Sequence, residues 1–148
     1  MKRSLCFMLL LTVIISLVSC GSARSSLDVI TEVKIIGKIS GNIYFSKASE
    51  ESDYYIDRDL MSMLFFEDTP PKNFAVILSP SIDYPNEVML VIPEDGEDVI
   101  ALADTLRRRL IILTGNSDAS PIVTAEYLAY STAELNIDLR RTLEKIMT

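Results

Sequence analysis

The chain has 148 residues, enough for one domain and a short extension, and 49% of them are apolar, as in a globular protein. Lysine and arginine number 14 against 21 aspartates and glutamates, so the net charge of −7 would repel nucleic-acid phosphates, and we expect no nucleic-acid partner. The absence of histidine excludes Ser-His-Asp and Cys-His catalysis, because both mechanisms need an imidazole base.

The N-terminal residues have the three parts of a secretory signal peptide. Lys2 and Arg3 give a positive start, residues 5–17 are mainly apolar, and small polar residues follow. A membrane-spanning helix is the weaker alternative, because it needs about 20 predominantly apolar residues and serines dilute the end of this stretch. We therefore predict a signal peptide over residues 1–19.

Leu17, Val18, Ser19 and Cys20 close the apolar stretch and are similar to the lipobox of bacterial lipoproteins. The resemblance implies that the Cys20 thiol is linked to a diacylglycerol and that a signal peptidase cuts between Ser19 and Cys20. The alternative is a buried cysteine that packs as a small apolar residue. Two acyl chains are sufficient for stable anchoring, so the lipobox interpretation places the protein on the cell membrane, facing outside the cytoplasm.

The predicted mature chain is a lipidated tether over residues 20–26 followed by one domain over residues 27–148. Removal of residues 1–19 takes away Lys2 and Arg3, which leaves 12 basic residues against 21 acidic ones. Cys6 lies in the discarded signal, so the mature protein would have no free thiol and no disulfide. Its stability must then come from packing.

Residues 27–47 fit two different structures. Alternating apolar side chains favour a strand or a hairpin, whereas a second apolar set at helical spacing after Ser25 and Ser26 favours a capped helix. We predict a strand, with a slight preference over the helix. The alternating set is Val29, Thr31, Val33, Ile35, Ile39, Ile43 and Phe45, and the helical set is Leu27, Ile30, Val33 and Ile36.

The next part of the chain is an acidic loop, a short helix and two apolar runs. Asp57 or Asp59 could cap a helix over residues 60–65, which the two prolines after Thr69 would end. Residues 74–78 and 88–92 have the length and composition of strands. Because both runs are continuously apolar, we expect both strands to be buried on both faces.

The strongest helical pattern covers residues 95–113, where leucines recur every three or four positions and Gly115 follows as a stop. Leu102, Leu106 and Leu110 should face the sheet. Alternation predicts strands over 123–130 and 133–139, and Asp138 would then cap a last helix over 139–147. The element order predicts an α+β fold, a small single-layer sheet with amphipathic helices packed on it.

Residues 54–148 resemble an uncharacterised domain of small bacterial lipoproteins. The shared features are a strand, an acidic residue (Glu87) directly before a second strand, and an amphipathic helix that ends in Arg109 and Leu110. That family has no assigned activity, so the resemblance implies no catalytic residue. Its segment before the strands tends to be helical, which disagrees with our prediction for residues 27–47.

Three groups of residues are candidate binding sites, each with a structural alternative that we favour. Residues 94–98 could bind Ca²⁺, but they lack EF-hand spacing and acids are stabilising at a helix N-terminus. Residues 107–109 could bind an anion, but consecutive helical residues point in different directions, and Arg108 can pair with Asp104. Tyr54 and Tyr55 could hold a cation or a sugar, or simply pack. We predict no catalytic residue, no metal and no cofactor.

The leading functional hypothesis is a non-catalytic lipoprotein, anchored to the membrane through diacylglyceryl Cys20, that binds a protein partner or acts as an accessory of a membrane complex. The alternatives are a carboxylate-dependent cell-wall hydrolase and a small-solute binding module. A hydrolase would need two carboxylates about 5–10 Å apart in a groove, and a solute binder would need an enclosed pocket.

Overall fold

The computed structural model describes residues 24–46, 56, 71–79, 86–132 and 136–148 of the chain. This part contains three helices and five strands, and the strands form one antiparallel sheet in the order β1-β2-β3-β5-β4. The predicted α+β fold with helices packed on a sheet is confirmed. In chain order the elements are α1 (Ser26–Gly37), β1 (Asn42–Phe45), β2 (Phe74–Leu78), β3 (Glu87–Val91), α2 (Val99–Thr114), β4 (Ile122–Val123), β5 (Leu128–Ser131) and α3 (Asn136–Met147).

Helix α1 overturns the strand predicted at the start of the domain. The Ser25 side chain accepts a hydrogen bond from the Asp28 backbone N–H, and the Asp28 carboxylate accepts one from the Ser25 N–H, which is a capping box. Val33 belonged to both predicted patterns, and Val29, assigned to the alternating one, lies four residues before it on the same buried face of the helix. The cap and the burial of this face favour the helix. Among the described residues of this segment, only the four residues of β1 form a strand. Helix α1 also includes the last residue assigned to the tether.

Strands β2 and β3 correspond to the two predicted apolar strands, and their burial is confirmed. They pair with Val76 opposite Met89, and all of β3 is buried together with the first four residues of β2. Strand β3 begins at Glu87, one residue before the predicted apolar run. Burial on both faces explains why these runs contain no polar alternation.

Helices cover both faces of the sheet, and the strand side chains divide between two cores. The core below α1 and α3 contains Ile43, Ala75, Ile77, Val88, Leu90 and Ala129 from the sheet. The core below α2 contains Phe74, Val76, Met89, Val91, Leu128 and Tyr130, together with Ile56. Leu102, Leu106 and Leu110 of α2 lie in this second core, which confirms the face predicted for that helix.

The ends of α2 and α3 differ from the predicted bounds. Helix α2 begins at Val99 because Asp98 is its N-cap and accepts hydrogen bonds from the N–H groups of Ile100 and Ala101. Helix α3 begins at Asn136, so the strand predicted over 133–139 is wrong where the structure describes it, and Asp138 lies in the first turn of α3 instead of capping it. Leu139, Leu143 and Ile146 follow helical spacing and are buried in the core shared with α1.

Candidate functional site

Glu87, Arg109 and Tyr130 form a buried ionic cluster between the sheet and α2. The Arg109 Nε donates to Glu87 Oε1 at 2.7 Å, and Arg109 Nη2 donates to Glu87 Oε2 at 2.5 Å. The Tyr130 hydroxyl donates to Glu87 Oε1 as well. Glu87 is 3% exposed and Tyr130 1% exposed. Both carboxylate oxygens therefore accept hydrogen bonds from within the protein, in the paired geometry typical of an arginine–carboxylate bridge.

The fold brings these three residues together through strand and helix periodicity. Glu87 is two residues from Met89 and therefore points to the same face of the sheet, towards α2. Tyr130 is the register partner of Met89, so it lies diagonally next to Glu87 on that face. Arg109 follows Leu106 by three residues, which places it beside the apolar side of α2.

Burial and charge shift the pKa values of two members of the cluster. Burial lowers the pKa of Arg109, but the hydrogen bond and negative charge of Glu87 outweigh it, and the net direction is upward. Burial and then the charge of Glu87 raise the pKa of Tyr130 well above its ordinary value, against a smaller opposing effect of Arg109. At neutral pH Arg109 is therefore charged and Tyr130 is a neutral hydrogen-bond donor.

The cluster is suited to holding α2 on the sheet. A general acid or base must reach a substrate proton and titrate near the working pH. The pKa values of Tyr130 and Arg109 are instead shifted further above neutral pH, and the Glu87 carboxylate is enclosed by the protein. An arginine–carboxylate bridge also has a fixed geometry. These properties indicate a structural connection between β3, β5 and α2.

The other two arginines of residues 107–109 point elsewhere, as their spacing predicted. Arg108 Nε lies 3.2 Å from Asp104 Oδ2, which confirms the predicted pair four residues apart. Arg107 is exposed, and its Nη2 donates to the Ser117 carbonyl at 3.4 Å. The three guanidinium groups do not converge. The structural alternative was correct for Arg108 but missed the inward position of Arg109.

Two of the acidic residues in 94–98, Glu97 and Asp98, accept hydrogen bonds from backbone N–H groups around the start of α2. Glu97 Oε1 accepts from the Lys72 backbone N–H at 2.9 Å, and Glu97 Oε2 accepts from the Glu94 N–H at 2.7 Å. Asp98 caps the helix. These two carboxylates therefore accept hydrogen bonds from the backbone, in agreement with the favoured capping interpretation. Within the described ranges no group of three or more acidic side chains is arranged to hold a metal ion.

An open groove of about 540 Å³ lies between α1 and β1. Arg24 lines it, with Nη2 3.1 Å from Glu32 Oε1 and Nη1 donating to the Ile146 carbonyl at 2.5 Å. Arg24 thus connects the start of α1 to the end of α3, where carbonyl groups lack helical partners. The lining residues are Arg24, Leu27, Asp28, Thr31, Glu32 and Ile43.

Several predicted features lie outside the described residues. These are the signal peptide, Ser19 and Cys20 of the lipobox, the helix over residues 60–65, and the pair Tyr54 and Tyr55. Each stays a prediction. Among the described helices, none combines the length and the apolar character that a membrane span requires.

The sequence contained a signal for each half of the buried ion pair but none for the pairing. Arg109 is a charged residue three positions after Leu106 in the apolar pattern of α2. Glu87 borders a strand that is otherwise fully apolar, with the same parity as Met89. Both residues were features of the lipoprotein-domain resemblance, yet only the sheet register brings them together across 22 positions of sequence.

Comparison of the chain with protein-family models, with curated proteins and with solved structures finds no match.

Proposed function

We propose that this protein is a lipoprotein anchored to the outer side of the cell membrane through diacylglyceryl Cys20, and that its domain is a non-catalytic protein-interaction or accessory module. The observation that carries the proposal is the lipobox-like sequence Leu17-Val18-Ser19-Cys20, followed by a folded domain that begins at the Ser25 cap. Only residues 21–24 separate the lipidated cysteine from that cap. At about 3.3 Å per extended residue, this tether keeps the domain within about 20 Å of the membrane surface.

The structural use of the described carboxylates supports a non-catalytic role. Glu87 is enclosed in its ion pair, Glu97 and Asp98 hold backbone N–H groups, and Asp28 completes the capping box of α1. The chain has no histidine that could act as a base beside a nucleophile. The acidic net charge of −7 is likewise unfavourable for a nucleic-acid partner.

The groove beside α1 favours the alternatives, a carboxylate-dependent hydrolase or a small-solute binder. Asp28 and Glu32 both line it, one helical turn apart, and its volume of about 540 Å³ is within the range of ligand pockets. However, Glu32 is paired with Arg24, and Asp28 is held by Ser25. We therefore expect the parent protein to release no sugars from cell-wall material, and Asp28→Asn and Glu32→Gln to behave like the parent. Release of sugars from cell-wall material by the parent protein, abolished in both variants, would replace our proposal with the hydrolase.

The anchor is tested by replacing Cys20 in the full chain. Cys20→Ala should accumulate as a larger, unprocessed precursor without incorporated labelled fatty acid, because the thioether needs sulfur. Cys6→Ala is the matched control, since that cysteine lies within the predicted signal, and it should label and migrate like the parent. Labelling of Cys20→Ala at the size of the mature form would overturn the proposed anchor.

A further inference from the structure

Strand β1 lies at one edge of the sheet and, in the described part of the chain, pairs only with β2. It has four residues, whereas β4 at the opposite edge has two. The outer side of an edge strand presents backbone N–H and C=O groups to which a further strand can bind. Strand β1 therefore offers the longer of the two edges to a partner.

The register of β1 shows which of its backbone groups point outward. The Ser46 N–H donates to the Phe74 carbonyl at 3.2 Å, so these two opposed residues form a hydrogen-bonded pair. Hydrogen-bonded and non-hydrogen-bonded pairs alternate along an antiparallel ladder. Ile43 and Phe45 therefore occupy non-hydrogen-bonded positions, and their N–H and C=O groups point away from β2. Within the described ranges no hydrogen bond to these four groups is found.

The groove beside α1 lies along the same edge. The Ser26 hydroxyl donates to Asn73 Oδ1, one residue before β2, and the Lys34 Nζ donates to the Gly41 carbonyl, one residue before β1. Because β1 and β2 are antiparallel, these two contacts mean that α1 runs antiparallel to β1. Ile43 lines the groove together with one side of α1, so the groove borders the strand whose outer edge is open.

The length of the groove matches the repeat of a strand. Its wall on α1 consists of Leu27, Asp28, Thr31 and Glu32. At a rise of about 1.5 Å per residue, Leu27 and Glu32 are about 7.5 Å apart along the helix axis. Side chains on one face of a strand recur about every 7 Å. A strand added to β1 would therefore place two side chains of one face, two residues apart, in the groove.

The lining of the groove favours one apolar and one basic side chain. Leu27 and Ile43 supply apolar contact, and Asp28 and Glu32 supply two carboxylates against the guanidinium of Arg24. The Arg24–Glu32 pair is solvated, with side-chain exposures of 45% and 42%, so a second cation can approach Glu32. The net charge of −7 also attracts basic segments.

We infer that β1 and the groove bind an extended segment of a partner protein as an additional strand, with an apolar and a basic side chain, two residues apart, in the groove. The outward backbone groups of Ile43 and Phe45 supply the main-chain hydrogen bonds, and the groove supplies the side-chain specificity. The inference rests on the proposed protein-interaction role, since it gives that role a site and a class of partner. A small solute would occupy the groove without using the backbone of β1.

A synthetic peptide tests the mode of binding. The probe is the capped peptide Thr-Val-Thr-Lys-Thr-Val-Thr, in which valine and lysine share one face of a strand, and the protein is the full chain purified in detergent. On addition of the probe, amide hydrogen exchange at Ile43 and Phe45 should slow at least about fivefold, because their N–H groups gain acceptors. Tyr44 is the internal control, since its N–H already points to β2.

Methylation of the probe backbone tests whether one edge of the peptide is used. Successive N–H groups of a strand point to opposite sides, so only one alternate set can face β1. One version of the probe is N-methylated at the valines and the lysine, and the other at the threonines. One of the two should bind at least about tenfold more weakly than the unmethylated probe, and the other should stay within about twofold of it.

A charge exchange tests the groove. A probe with glutamate in place of lysine should bind about tenfold more weakly to the parent. Glu32→Lys should reverse this preference, and Glu32→Gln should remove most of it. Glu126→Lys is the matched control, because Glu126 is exposed beside β4 at the opposite edge of the sheet, and it should keep the parent preference. Thermal unfolding checks the fold of each variant, since Glu32 also pairs with Arg24.

Three results would overturn the inference. They are no binding of the lysine probe up to about 5 mM, equal effects of methylation on the two alternate sets, and a probe preference that Glu126→Lys changes as much as Glu32→Lys does. Labelled fatty acid and sugar release are measured on the same preparations. A labelled chain that releases no sugars and binds no probe keeps the proposed function and loses this site. Absent label or released sugars would overturn the proposed function, independently of probe binding.

Discussion

The two faces of the sheet are both covered by helices, but their ion pairs differ in position. On the face of α1 and α3, the pair Arg24–Glu32 lies at the rim, with side-chain exposures of 45% and 42%. On the face of α2, the pair Arg109–Glu87 lies inside, with exposures of 13% and 4%. The same two residue types therefore form a solvated contact on one face and a desolvated one on the other.

This difference follows from how the helices are supported. Helices α1 and α3 pack on each other as well as on the sheet, and Leu139, Leu143 and Ile146 of α3 share one core with Val29 and Val33 of α1. Helix α2 packs on β5 without another described helix beside it. Apolar packing is not directional, whereas a paired arginine–carboxylate bridge is. We infer that the bridge fixes the position of α2 along the sheet.

The largest expected effect comes from removing the buried arginine. Arg109→Ala should lower the free energy of unfolding by about 3–5 kcal/mol, because Glu87 would keep a buried charge without its partner. Arg24→Ala is the matched change on the other face and should cost about 1 kcal/mol or less, since exposed pairs are screened by water. Denaturant unfolding of the two variants measures both values, and equal losses would contradict the comparison of the two faces.

A double replacement separates the cost of an unpaired charge from the value of the pair. Glu87→Met/Arg109→Met removes both charges and keeps apolar volume, and it should recover part of the stability lost in Arg109→Ala. The remaining loss is expected because the buried Tyr130 hydroxyl no longer has its acceptor. A double variant as unstable as Arg109→Ala would mean that the bridge itself, and not the unpaired carboxylate, supplies the stability of this face.

Sequence patterns predicted the elements whose signals are local. Strands β2 and β3 were found because four or more consecutive buried residues leave an unbroken apolar run, and α2 because its leucines follow one helical stripe. Helix α1 was missed because Val29 and Val33, four residues apart, fit both periodicities. The segment forms a helix because Ser25 caps it and because α3 packs against it. The contact with α3 is not local in sequence.

The buried cluster could not be predicted from the sequence, for a related reason. Glu87 and Arg109 meet only because β3 pairs with β5 in a particular register and α2 crosses that face of the sheet. The predicted lipidation of Cys20 is different in kind. It depends on a short contiguous motif, so the sequence can suggest it without any knowledge of the fold.

A smaller effect, with a dependence on pH, is expected at Tyr130. Tyr130→Phe should cost about 1–3 kcal/mol at neutral pH, because the Glu87 carboxylate loses a buried donor. The pKa of Tyr130 is raised in the folded protein, so its contribution is complete below the unfolded pKa of about 10 and is lost as the pH rises above it. The parent should therefore lose stability above pH ~10 more steeply than Tyr130→Phe does.

Tyr127→Phe provides the control on the other face. Burial raises the pKa of Tyr127 as well, so some alkaline loss of stability should persist in Tyr130→Phe. No hydrogen bond of the Tyr127 hydroxyl is found among the described residues, and its replacement should change neutral stability less than Tyr130→Phe. Denaturant unfolding between pH 7 and 11 compares the two, and parallel pH profiles for the parent and Tyr130→Phe would argue against a buried, neutral Tyr130.

The smallest effects are expected at the two arginines next to Arg109. Arg107→Ala and Arg108→Ala should each change the free energy of unfolding by no more than about 0.5 kcal/mol, because both side chains are exposed and the Arg108–Asp104 pair is solvated. Since membrane retention is proposed to depend on Cys20, both changes should also leave membrane retention unchanged. Three consecutive residues of one helix would then differ several-fold in their effect on stability, because only Arg109 points into the sheet. A folded Arg107→Ala or Arg108→Ala variant that no longer associates with its partner would instead make the exposed face of α2 the interaction surface.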